Sequence, residues 1–273
     1  MGTDPDKSVA AAALAVLGGS IHEPKERPGL AHFCEHMLLH GTLQPGYDAN
    51  FAEYIKQAGG THNAVTTVLQ TCFAFEIQSE KLEGALSRFA RFFVSPIFNP
   101  SYQYQELQAI DAEHSMNTTN DFRRQWAILL LDAIPEHPYH WTSGCTKSLQ
   151  NPLLRTNLHQ ALETFHAHAY KADRMSLALV GNQSTKELTE WVCKYFACVP
   201  SSRVRSKDLN DLMGAGIGKG EPPFLHEDFC ILFELFSSAF DLGKLSHFLC
   251  LMTGFVICFF TCGVWTRQVA RFS

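Results

Sequence analysis

His32-Phe33-Cys34-Glu35-His36 is the stretch that decides how this chain is read. On a helix, residues i and i+4 share a face about one turn apart, so His32 and His36 can turn ring nitrogens toward one point. Imidazoles so placed suit a catalytic zinc ion, which binds histidine nitrogen at about 2.0–2.1 Å. Glu35 borders the same face without being a ligand and is left free to take a proton from water as a general base. The order is the reverse of the commoner H-E-x-x-H arrangement. Without a metal, the same residues would read as a solvated helix face with a paired histidine.

The flanks supply the helix that this spacing needs. Residues 9–17 form a short apolar run expected as a buried strand, with no basic lead of the kind a secretory signal carries. Pro24, Pro28 and Gly29 break the chain, a helix is expected over residues 30–40, and Gly41 ends it. Residues 50–58 read as a helix closed by Gly59-Gly60, and residues 61–67 and 70–77 as two adjacent strands. An amphipathic helix is expected over 81–94, further helices over 102–119, 122–134, 158–170 and 186–196, and a strand at 176–181. Helices and strands in this mixed order indicate an α+β fold, a layered sheet with packed helices.

Two histidines leave a catalytic zinc one protein ligand short, and a carboxylate from elsewhere is the natural third. The expected helix at 102–119 offers Glu106, Asp111 and Glu113. Glu106 and Glu113 lie two turns apart on one face, and spacing alone does not choose between them. Cys34 falls two positions from each histidine and therefore faces away from the metal, as a packing thiol. Of the other histidines, only His62 is placed near the cleft; His22, His40, His114, His137, His140, His166 and His168 are left out as ligands because none has two partners at helical spacing.

Composition bounds the rest. With 273 residues and 46% hydrophobic content the chain can bury a sizeable core, and a net charge of -5 with no basic cluster argues against a nucleic-acid partner. Nine scattered cysteines fit free thiols in a reducing compartment, and neither Cys193 with Cys198 nor Cys258 with Cys262 has the company a zinc finger requires.

Three separated blocks carry a family resemblance. Gly29-Leu-Ala-His32-Phe-Cys-Glu35-His36-Met-Leu-Leu-His-Gly41-Thr42 resembles the signature of the insulysin branch of the pitrilysin family of zinc peptidases. Lys81-Leu-Glu-Gly-Ala-Leu-Ser-Arg-Phe-Ala-Arg-Phe-Phe93 resembles the helix that follows it there. The segment from Glu106 through Glu113 to Asp121 resembles the family's third-ligand segment. The resemblance runs over roughly residues 8 to 200.

Carried over by position, the resemblance implies a pitrilysin-type peptidase domain holding one Zn2+ on His32, His36 and Glu113, with Glu35 as general base. Glu106 would orient a ligand histidine without binding the ion. Gly60-Thr-His-Asn63-Ala64-Val-Thr66 resembles the family's substrate-binding edge strand, which makes Asn63 and Ala64 the expected substrate contacts by strand addition. The expected activity is zinc-dependent hydrolysis of peptide bonds in peptides or small proteins. Family members have a second homologous half that closes the chamber, which this chain is too short to contain, and it is expected to begin inside the first domain.

The alternative is therefore a catalytically inactive homologue, or a peptide-binding, subunit-like domain that needs a partner half. Domain expectations are 1–205 for the peptidase domain, 206–228 for a linker and 229–273 for an apolar tail. Residues 245–266 contain no Asp, Glu, Lys or Arg and are long enough for a transmembrane helix. That tail reads as a membrane anchor, a buried helix or translated non-coding sequence. The expected location is cytoplasmic, or membrane-anchored if the apolar segment is genuine.

Overall fold

The computed structural model describes residues 9–40, 47, 49–131, 146–150, 153, 157–202, 256–261 and 266–271. Its centre is an antiparallel sheet. Strands β1 (Val9–Val16), β2 (Thr61–Thr66), β3 (Thr71–Gln78), β4 (Met175–Gly181), β5 (Val256–Thr261) and β6 (Thr266–Arg271) run in the order β2-β3-β1-β4-β5-β6. β1 is mostly alanine, a weak strand former, and its position decides its conformation: it pairs with β3 on one side and β4 on the other and is buried on both faces.

Register fixes which residues meet the helices. Leu14 pairs with Phe73 and with Leu177, and Ala12 with Phe75 and with Leu179. These residues join the main apolar cluster, whereas the opposite face carries Ala11, Ala13, Ala15, Cys72, Ala74, Ala178 and Val180. Against the first face pack Phe51, Phe89, Phe92, Phe93 and Phe196, all essentially inaccessible. Edge-to-face pairs such as Phe51 with Phe92 (5.1 Å) and Phe89 with Phe93 (5.2 Å) interlock them.

The helices follow the sequence expectations with small shifts. α1 (Leu30–His40), α2 (Phe51–Gln57) and α3 (Leu82–Phe89) come first, and a break after Phe89 separates α4 (Arg91–Val94) from what the sequence presents as one helix. α5 (Pro100–Thr119) starts two residues earlier than expected, because proline suits a first helical position and Asn99 caps it by accepting from the Ser101 amide at 3.0 Å. α6 (Asp121–Leu131), α7 (Thr146–Leu149), α8 (Leu158–Ala169) and α9 (Thr185–Phe196) complete the order. α2 ends on Gly59, whose φ of +68° favours glycine; the Gly60 amide donates back to the Ile55 carbonyl at 2.9 Å.

The expected apolar helix over 245–266 is corrected where that stretch is described. Residues 256–261 form β5, antiparallel to β4, and Thr266 opens β6. A charge-free run cannot by itself tell a helix from a buried strand, and Val-Ile-Cys-Phe-Phe-Thr is β-branched and aromatic. Among the described residues no helix is long and apolar enough to cross a membrane. The expected linker and the remainder of the tail lie outside the described residues, as do Gly41, His137 and His140.

Candidate metal centre

The motif helix is anchored before it begins. Gly29 takes φ +95° and its carbonyl accepts the Phe33 amide at 2.9 Å, opening α1. The Glu23 carboxylate then receives the Gly29 amide at 2.7 Å and the Ala31 amide at 2.8 Å, satisfying donors that a helix start leaves unpaired. α7 braces the preceding turn: the buried Arg27 guanidinium donates to the Leu149 carbonyl, and Ser148 Oγ to the Pro28 carbonyl. Phe33, Cys34 and Met37 point into the core, so His32, Glu35 and His36 take the side of α1 that faces β2 and α5.

On α5, Glu106, Ile110 and Glu113 follow one another at helical spacing, and Glu106, Leu107 and Ile110 are its only buried residues. This narrow stripe lays the two glutamates beside the histidines. His32 Nε2 lies 3.2 Å from His36 Nε2 and 3.4 Å from a Glu113 oxygen; the other Glu113 oxygen lies 3.5 Å from His36 Nε2. Among the described residues, His32, His36 and Glu113 are the one cluster whose ligand atoms converge in this way. Glu106 stands behind it, 3.1 Å from His36 Nδ1.

These distances fit a tetrahedral ion. Ligand bonds of about 2.0–2.1 Å at tetrahedral angles separate neighbouring ligand atoms by about 3.3 Å, close to the 3.2 Å between the two Nε2 atoms, and Glu113 sets one oxygen at a similar distance from each of them. A carboxylate only accepts, so His36 donates from Nδ1 to Glu106, and in its neutral form the ring turns the Nε2 lone pair toward His32 and Glu113. Burial, with the charge of His36 adding to it, lowers the His32 pKa to about 4, keeping that ring unprotonated and able to ligate at neutral pH. Burial opposes protonation of His36 too, but the Glu106 hydrogen bond and the nearby Glu113 and Glu35 carboxylates outweigh it and raise its pKa.

Glu35 is buried and points at the same region. Its Oε2 accepts a 2.5 Å hydrogen bond from Thr66 Oγ1, and burial pushes its pKa up to about 7, partly countered by that bond. A carboxyl that gains and loses a proton near neutrality is suited to general base work. Cys34 is sealed in the core with its thiol pushed up by burial, as its position facing away from the histidines requires.

Asn63 and Ala64 lie on β2, which pairs with β3 alone among the described strands and forms the edge of the sheet. Strand alternation sends His62, Ala64 and Thr66 to the helix side and Asn63 to the other side, where it is exposed. His62 packs against Phe51 and lines an open groove with Ala52, Glu53, Lys56, Gly60 and Thr61. Sequence reasoning had no signal for Glu23, and it placed Thr66 in the edge-strand block without a role. Glu23 caps α1 from seven residues ahead, outside any capping box, and Thr66 reaches Glu35 across the fold.

Comparison with known proteins gives the class. Residues 2–133 match the profile of the insulinase family (Peptidase family M16), and residues 157–228 match that of the Peptidase M16 inactive domain. The chain belongs to the insulinase family of peptidases. Within it, the chain is 36% identical over 206 residues to the insulin-degrading enzyme of Drosophila melanogaster and 34% identical over 205 residues to that of Homo sapiens, each match covering 74% of this chain. The crystal structure of pitrilysin superimposes with a TM-score of 0.68 at 33% identity over 75% of this chain, which is 22% of that chain. The chain spans about one fifth of the length of the curated relatives it matches: 21% of the Drosophila enzyme and 20% of the human one.

Proposed function

We propose that this chain is the metal-binding domain of an insulysin-type zinc metalloendopeptidase. The supporting observation is the convergence of His32, His36 and Glu113, with the two Nε2 atoms 3.2 Å apart and one Glu113 oxygen within 3.5 Å of each. These three residues would hold one Zn2+, with Glu106 orienting His36. When bound, the ion supplies Lewis acidity to a scissile carbonyl and lowers the pKa of water toward neutrality. Glu35 takes the proton at its carboxylate as water attacks and hands it to the leaving amine nitrogen. The β2 edge at Asn63 and Ala64 holds the extended peptide by strand addition, backbone to backbone.

Metal content measured alongside cleavage of a quenched peptide, with and without chelator, tests this reading. One zinc per chain, cleavage lost on chelation and cleavage recovered with zinc are expected. A second reading is favoured by the openness of the site: the side chains of His32 and Glu113 are 35% and 43% exposed. In that reading the domain captures peptides but does not turn them over until a second homologous half walls off solvent. Zinc without turnover supports it, and no zinc contradicts both.

A further inference from the structure

One half-buried contact joins the substrate edge to the catalytic carboxylate. Thr66 closes β2, two residues beyond Ala64, and its hydroxyl lies 2.5 Å from Glu35 Oε2. The same hydroxyl is 3.1 Å from that of Thr71, its directly opposite partner on β3. A threonine hydroxyl has one proton to give. An ionised Glu35 only accepts, so Thr66 gives its proton to Glu35, and the Thr66 oxygen is left to accept from Thr71. The Thr71 hydroxyl, wholly inaccessible to solvent, also lies 3.4 Å from the Gly18 carbonyl, a second acceptor for its proton.

The result is a directed hydrogen bond, Thr66 to Glu35, that engages one carboxylate oxygen. Burial alone does not aim a glutamate, because the side chain has three rotatable torsions and its terminal one is broad. The Thr66 hydroxyl supplies the missing constraint. It arrives from the strand that would carry the peptide, so substrate register and base orientation share one stretch of backbone. Resting on the peptidase reading above, we infer that Thr66 is a positioning residue for Glu35, holding Oε2 so that Oε1 is presented to the attacking water.

Substitution at position 66 in the full chain tests this with two readouts. Thr66→Val keeps shape and removes the donor; it is expected to lower kcat by about tenfold to a hundredfold, with KM and zinc content unchanged. Thr66→Ser restores the donor and should recover most of the rate, which a packing role would not predict. In crystals, the Glu35 carboxylate should turn away from position 66 in Thr66→Val and stay in place in Thr66→Ser. An unmoved carboxylate in Thr66→Val, a parental kcat, or equal impairment of the Ser and Val variants would overturn the inference. If the parent chain cleaves nothing, the peptidase reading fails on its own account, and the Glu35 position alone decides the role of Thr66. Should Thr66→Val not fold, Thr66→Ala replaces it with the same outcomes.

Discussion

His36 and Glu106, seventy positions apart, meet at 3.1 Å in the protein interior, with the histidine Nδ1 donating to the carboxylate. This contact sets which nitrogen of His36 faces the triangle and how the ring is turned. Glu106→Gln should therefore lower zinc affinity about tenfold to a hundredfold without abolishing binding. Competition titration against a chromophoric chelator reads the difference, and an unchanged affinity would remove Glu106 from the site.

Glu35→Gln separates binding from chemistry. The amide keeps the shape of the side chain but cannot act as a base, so zinc content should equal that of the parent while turnover falls about a hundredfold to ten-thousandfold. Steady-state cleavage of a fluorogenic peptide, normalised to bound zinc, provides the comparison. Parental turnover in this variant would end the assignment of Glu35.

The edge strand predicts a different kinetic signature. Asn63→Ala leaves the triangle and Glu35 untouched and should raise KM severalfold with kcat nearly constant, because it weakens uniform binding. A fall in kcat at constant KM would mean that Asn63 acts at the reacting centre instead.

His166 gives the fold an acid-sensitive element remote from the triangle. It is buried on α8, Nε2 donates to the Phe92 carbonyl at 2.9 Å, and its ring stacks on Tyr170 at 4.4 Å. Burial lowers its pKa from 6.5 to about 4. Between those values the unfolded chain binds the proton more readily than the folded one, so stability is full above pH 6.5 and declines as pH falls toward about 4. The loss attributable to this group is about 3 kcal/mol at most. Other groups titrate in the same window, His32 with the same sign and Glu35 with the opposite one, so the comparison is by difference: urea midpoints should show the parent losing stability relative to His166→Gln as pH falls from 7 to 4.5, and a difference that does not change with pH would exclude His166 as a source.

Much of the site was legible because its chemistry is local. The spacing of His32 and His36 states the shared helix face outright, and Pro24, Pro28 and Gly29 mark where that helix starts. The choice between Glu106 and Glu113 was not legible from spacing, since both lie on one stripe; it depends on how far α5 slides along α1. Thr66 was also out of reach, because its partner Glu35 lies thirty-one positions away and the pair exists only once β2 settles beside α1. The apolar tail misled in a plain way: absence of charge does not tell a helix from a strand, and the pairing of β5 with β4 is a tertiary fact. β1 shows the reverse, an alanine run whose bracketing by β3 and β4 overrides its own preference.

The convergence of His32, His36 and Glu113 on one ion is tested most directly by anomalous diffraction at the zinc edge from crystals soaked in stoichiometric zinc. A single peak within bonding reach of both Nε2 atoms and a Glu113 oxygen, lost in Glu113→Ala crystals, is the expected result. A peak elsewhere, or one that persists unchanged in Glu113→Ala, would contradict the account.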